Sequence, residues 1–322
     1  MSQELFDEAV RLEEDGQNER ALAVWRQIVE TTPTRNAYLR LAGCAKELGL
    51  VDDVERAFQR ALEIDGRSEI ALRSLGILAV DRCDYLAAVD YLRRACEIEE
   101  TAGALTVLGV ALRHTLNDLD AEVAYRRAIQ IDRKYEEAYY NLGVLLRLND
   151  RPSEAQPLLR KALELDPDYA AAHRELGYVL SLRAPDAEAE THLRKAIELD
   201  PKDSWAHIYF GTHLWRCTEV DGAMKEFRIA KELEPEWAVP LWSLGNIYES
   251  ESIDLDLAQS FFEHALRLEP DDWCALKGLA RVFKKRGQID LAREYVTRAL
   301  QQYPRDERSL ALLSDLDVEG TA

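Results

Sequence analysis

Residues 136–169 read EEAYYNLGVLLRLNDRPSEAQPLLRKALELDPDY, and the spacing of small and large residues within them decides the fold. Gly143, Ala155 and Ala162 are small, whereas Tyr139, Leu142, Leu146 and Leu159 are large and fall at helical intervals around them. Holes and knobs at such intervals describe two antiparallel helices that interdigitate. Pro167 then stands where the second helix must stop, because proline cannot continue a helical ladder.

The same phrase recurs outward in both directions. Gly109, Gly143, Gly177, Gly211 and Gly245 are spaced by 34 residues, and Gly76, Ala42, Ala9 and Ala280 extend the register with single-residue slips. Each copy also carries a large apolar residue near its end: Trp25, Phe58, Leu92, Tyr125, Leu159, Leu193, Phe227, Phe262 or Val296. A fixed period of this length marks an array of supersecondary units that bury their apolar faces only by stacking on neighbours.

This register resembles the tetratricopeptide repeat, most fully over Glu136–Tyr169, and the resemblance covers residues 2–306. It implies an all-α, right-handed superhelical solenoid of antiparallel helix pairs. Nine copies are expected at about 2–34, 35–68, 69–101, 102–135, 136–169, 170–203, 204–237, 238–272 and 273–306. Residues 307–322 follow as a capping helix, with Leu310, Leu313 and Leu316 on its packed face, and a frayed tail from Val318. Copies 2, 3 and 4 end on Gly66, Glu100 and Arg133 in place of proline, which predicts looser turns there. The extra residue around Ser252–Leu257 and the turn at Pro185 are expected to depart from regular curvature.

Composition narrows the function. Lysine and arginine number 41 against 60 aspartates and glutamates, a net charge of −19 that repels nucleic acid and anionic membranes. The N-terminal residues lack the basic and apolar regions of a signal peptide, and no apolar run is long enough to cross a bilayer, so a cytoplasmic protein is expected. Cys44, Cys83, Cys96, Cys217 and Cys274 have no metal-ligand or CxxC spacing and read as isolated thiols. His173 and His207 share one register position and read as part of the helix-pair packing. No phosphate-binding loop or nucleophile elbow occurs, so neither an enzyme nor a cofactor is expected.

The resemblance further implies that the first helix of each repeat lines a concave groove. On that face the candidate partner-binding residues are Arg113, Tyr140, Arg147, Arg174, Tyr178, Trp205, Trp215, Trp242, Asn246, Lys277, Arg281, Lys284 and Lys285. The face is basic and aromatic while the chain is acidic, and aromatic and arginine side chains are frequent interface anchors. An interaction scaffold or adaptor that grips an acidic or aromatic-containing peptide or partner protein is the leading expectation. A self-assembling structural subunit or homo-oligomer, or a regulatory subunit that controls an effector enzyme, is the alternative. Two ligand codes of the family are missing. Asn141 fits one position of the carboxylate clamp, but Thr106, Val110, Ala171 and Glu175 stand at others, and the rung of an asparagine ladder is occupied by Ser74, Val107, Glu175, Tyr209 and Gly278. The run Lys284-Lys285-Arg286 reads as a groove wall within an acidic chain rather than a nucleic-acid site.

Overall fold

A computed structural model describes residues 2–182 and 186–319, and among them every regular element is an α-helix. Contacts divide the chain into two compact units, Met1–Asp166 and Pro167–Ala322. The first unit contains five helix pairs: α1 (Ser2–Glu14) with α2 (Asn18–Thr31), α3 (Arg35–Glu47) with α4 (Val51–Ile64), α5 (Glu69–Asp81) with α6 (Tyr85–Ile98), α7 (Ala102–His114) with α8 (Asp118–Ile131), and α9 (Glu136–Leu148) with α10 (Pro152–Leu165). The second contains four pairs and a terminal helix: α11 (Ala170–Ser181) with α12 (Ala187–Leu199), α13 (Ser204–Arg216) with α14 (Val220–Leu233), α15 (Ala238–Ser250) with α16 (Leu255–Leu268), α17 (Trp273–Lys285) with α18 (Ile289–Gln302), and α19 (Glu307–Glu319). Pro185 lies outside the described residues, as does the tail beyond Glu319. The frayed tail expected from Val318 is not seen up to that point, since α19 continues to Glu319.

The ladder glycines act as holes within each pair. A Cβ built on Gly109 would lie 2.5 Å from the Tyr125 ring, one on Gly177 2.6 Å from Leu193, and one on Gly211 2.6 Å from Phe227. A real side chain cannot occupy that space, so the first helix must be bare where the knob of the second helix arrives. Knobs and surrounding alanines are buried; Trp25, Tyr125, Leu159, Leu193 and Phe262 are fully shielded from solvent.

Caps punctuate the helices. Thr34, Thr101, Asp203 and Asp272 each accept a hydrogen bond from a backbone N–H in the first turn of the helix that follows. Such caps satisfy donors that the helix leaves unpaired. The looser turns expected after Gly66 and Arg133 are not found. Asp65 accepts from the Arg67 N–H at 3.1 Å and Asp132 from the Lys134 N–H at 2.8 Å, the same turn that Asp200 makes with Lys202 at 3.0 Å beside Pro201. The aspartate holds this turn, so proline is dispensable there.

Between the helices of a pair the chain turns through a left-handed residue. Gly16, Gly49 and Gly287 fill this position in three copies, but Cys83, Leu116, Asp150, Thr218 and Ser252 fill it elsewhere with φ between 53° and 65°. The inserted residue of the eighth copy is absorbed here: α15 and α16 are separated by residues 251–254, and the Asp254 carboxylate restarts the helix by accepting from Asp256 and Leu257 N–H groups. In the terminal helix Leu316 is buried and Leu312 and Leu313 pack beside it. Leu310, expected on that packed face, is instead 47% exposed.

Candidate aromatic cleft and its cations

In the second unit the first helices of four successive pairs present one continuous aromatic wall. Trp205, Tyr209, Thr212 and Trp215 form a stripe along α13, and Val239, Trp242, Asn246 and Glu249 form another along α15. Residues three, four and seven apart share a helix face, so these stripes point the same way. With Tyr178 of α11, Trp273, Lys277 and Arg281 of α17, and Arg308 of α19, they enclose a cleft of about 720 Å³. Tyr178 stacks on Tyr209 with centroids 4.1 Å apart, and Trp205 meets Trp237 edge-on at 4.7 Å. Five of the six tryptophans in the chain lie in this unit.

Two cations of the cleft are held by carboxylates far away in sequence. The Arg281 Nε donates to Glu249 at 2.8 Å and its Nη2 to Asn246 at 2.5 Å. Lys285 pairs with the same Glu249 carboxylate at 2.9 Å. Glu249 is buried, and two cations around it offset the cost of removing its charge from water. Lys277 donates to Asp306 at 3.1 Å while its ammonium lies 4.2 Å from the centre of the Trp273 ring. Burial alone would raise the Asp306 carboxyl, but hydrogen bonds from Ser309 and Lys277 outweigh it and hold the group below the usual range. Arg308, exposed at the rim, has no ion pair or side-chain hydrogen bond among the described residues.

One further polar group of the wall has no partner among the described residues. The Trp242 Nε1–H lies in the cleft wall with no acceptor, whereas the Trp215 Nε1–H donates to Glu251 at 3.3 Å. Cys274, also in the wall, is pushed up to about 12 by burial and by Asp272, so it stays a thiol. Burial likewise pushes Cys44 up to about 12 and Cys96 up to about 11.

Of the residues singled out from sequence, Tyr178, Trp205, Trp215, Trp242, Asn246, Lys277 and Arg281 line this one cleft. Arg174 is in the same unit but is bound to Asp203 at 2.5 Å and lies beside Glu175. Lys284 reaches Asp315 on α19 at 3.1 Å, and Lys285 turns to Glu249, so neither lines the cleft. Arg113, Tyr140 and Arg147 belong to the first unit, where Arg113 meets the His114 ring at 3.1 Å and Tyr140 and Arg147 lie seven residues apart on α9. Sequence reasoning missed Trp273, Trp237 and Arg308. Trp273 could have been found from its place one turn before Lys277, but Arg308 belongs to a segment read only as a cap.

Among the described residues, nineteen helices follow one another in tandem pairs, with small-to-large interlocking inside the pairs, and define a helical repeat protein. Residues 6–69, 136–169 and 251–316 each match a tetratricopeptide repeat family model. The chain belongs to the tetratricopeptide repeat family. No curated protein sequence matches it. Among solved structures it is similar to a chain of the APC/C hetero-tetramer Cut9-Hcn1, with 19% identity over 92% of this chain and 59% of that one and a TM-score of 0.64. This chain therefore spans less than two thirds of that relative. It is also similar to a tetratricopeptide repeat protein from Parabacteroides merdae (17% identity, 77% of this chain, 98% of that one, TM-score 0.64) and to yeast Tom70 (16%, 98%, 80%, 0.54). Identities this low show a shared fold. Among the described residues no helix is long and apolar enough to cross a membrane, and no group of three or more His, Cys, Asp or Glu is placed to hold a metal ion.

Proposed function

We propose that the protein is a non-enzymatic interaction scaffold whose second unit grips a partner-protein segment in the aromatic cleft. The observation that carries this reading is the convergence of Trp205, Trp215, Trp242 and Trp273 on one open cleft, with Lys277, Arg281 and Arg308 along it. Tryptophan is a frequent binding hot spot because it buries a large rigid surface and keeps one polar handle. The segment that fits carries aromatic side chains for the wall and carboxylates for the cations. Most of those cations already hold a carboxylate, so the aromatic wall supplies affinity and Arg308 supplies the free charge. Arg113, Tyr140, Arg147, Arg174, Lys284 and Lys285 are secondary contacts in this reading.

Fluorescence anisotropy with labelled peptides that alternate Phe with Glu, or Phe with Lys, tests it. The Glu peptide is expected to bind, and Trp242→Ala and Arg308→Glu are each expected to weaken it by about tenfold, the equivalent of ~1.4 kcal/mol. Equal binding of the two peptides, or indifference to both substitutions, sinks the acidic-segment reading. Arg308 is a better probe than Arg281, whose reversal would leave Glu249 buried beside a second carboxylate.

A further inference from the structure

The second residue of the second helix in each pair is polar in seven copies: Glu19, Asp52, Ser153, Glu188, Asp221, Asp256 and Asp290. Acids are favoured there because the positive end of the helix dipole lies beside them. In the third and fourth copies alone the position is leucine, Leu86 and Leu119, and these side chains are 77% and 79% exposed. Leu116 adds a second anomaly. It is the one large apolar residue at the left-handed turn among the described copies, it has φ 60°, and it is 92% exposed. A branched side chain in that conformation costs stability that glycine would not. Val123, one turn beyond Leu119, is 67% exposed. Folding explains none of these four.

They lie on neighbouring elements: α6, the turn between α7 and α8, and the first turns of α8. Tyr85, next to Leu86, stacks on His114, two residues before Leu116, with centroids 4.1 Å apart. Arg93 of α6 reaches Asp120 of α8 at 3.0 Å, just past Leu119. Contiguous exposed apolar surface, unlike scattered single residues, marks an interaction site.

Charge selects the occupant. Asp84 and Asp118 flank the leucines and make no ion pair among the described residues, while Arg82 is taken by Asp52 and Glu55, and Arg93 by Asp120. A second copy seated by two-fold symmetry would set these acids against themselves in a chain of net charge −19. We propose that the patch of Leu86, Leu116, Leu119 and Val123 receives a basic amphipathic segment of a partner protein, with an apolar stripe on the leucines and lysine or arginine beside Asp84 and Asp118. This surface lies in the first unit and is independent of the aromatic cleft.

Synthetic helical peptides test it by anisotropy on the full chain: a leucine stripe flanked by lysines, the same stripe flanked by glutamates, and the lysine peptide scrambled. The lysine-flanked peptide is expected to bind; the double variant Leu119→Ser with Val123→Ser weakens it about tenfold or more, Asp118→Lys weakens it further, and Trp242→Ala leaves it unchanged. The melting curve of the Leu119→Ser, Val123→Ser double variant should superimpose on the parent, since both side chains are exposed. Equal binding of the scrambled peptide, or no loss in the double variant, overturns the proposal. So does a dimer by sedimentation that the double variant dissolves, which makes a second copy the occupant. Retention on phosphatidylcholine vesicles that the double variant abolishes points to a lipid surface and overturns it as well.

Discussion

The Phe262 ring occupies the space where a side chain on Gly278 would stand, and it crowds Gly245 of its own helix pair from the other side. One knob thus sits between two bare helix positions, one in its own repeat and one in the next. Gly278→Ala would force the ring to move, and overpacking of this kind costs about 1–3 kcal/mol, more than the ~1 kcal/mol an alanine adds to helix propensity. Gly43 is the control: it lies mid-helix in α3, and a Cβ there meets nothing within 4 Å. Gly43→Ala is expected to stabilise by about 0.5–1 kcal/mol and Gly278→Ala to destabilise, as read from urea unfolding midpoints.

Thr218 stands at the left-handed turn between α13 and α14 with φ 65°, where Gly16, Gly49 and Gly287 stand in other copies. A β-branched residue is poorly suited to this region. Thr218→Gly relieves roughly 1–2 kcal/mol of backbone strain and returns about 0.5–1 kcal/mol as unfolded-chain entropy, so a small net gain is expected. Gly287→Thr should lose stability by the converse argument, and thermal melts of the pair decide it.

Pro157 lies inside α10, five residues after Pro152 opens that helix. Pro152 is harmless in the first turn, but Pro157 removes a ladder N–H and crowds the carbonyl four residues earlier. Pro157→Ala is expected to stabilise by up to about 3 kcal/mol, with the gain read as a shifted denaturation midpoint.

The fold was legible because small and large residues alternate in register over nine copies, and the same register placed Trp205, Trp215 and Trp242 on one face. The state of the cations was not legible. Arg281 is held by Glu249, 32 residues away in the preceding repeat, and Lys277 by Asp306, 29 residues away at the end of its own, so neither pair leaves a local spacing to read. A basic count on the inner face therefore overstates the charge on offer to a ligand. Arg308 escaped notice for the opposite reason, since the helix that carries it looked only like a cover for apolar surface.

His207 and Glu226 give the chain a pH-dependent contact. The His207 Nε2 lies 3.2 Å from the Pro201 carbonyl and the Nδ1 2.7 Å from the Glu226 carboxylate. Both facing groups are acceptors, so the geometry calls for a proton on each nitrogen, which is the imidazolium. Burial alone would lower the ring's pKa, but the hydrogen bonds to Glu226 and Pro201, with the charges of Glu226 and Asp203, raise it above the ordinary His value. A raised folded-state pKa means the contact contributes fully below the unfolded value, about 6.5, and is lost as pH climbs through the folded value. The stability difference between the parent and Glu226→Gln should therefore be largest in mild acid and shrink on the alkaline side. His173 makes the same carbonyl contact, to Pro167 at 2.9 Å, but meets the His192 ring instead of a carboxylate. Replacing His192 by Glu should accordingly create a second contact of the same pH sign. Urea unfolding from mild acid to mild base reads both effects; a gap between the parent and Glu226→Gln that stays constant with pH would show that His207 is neutral in the folded chain.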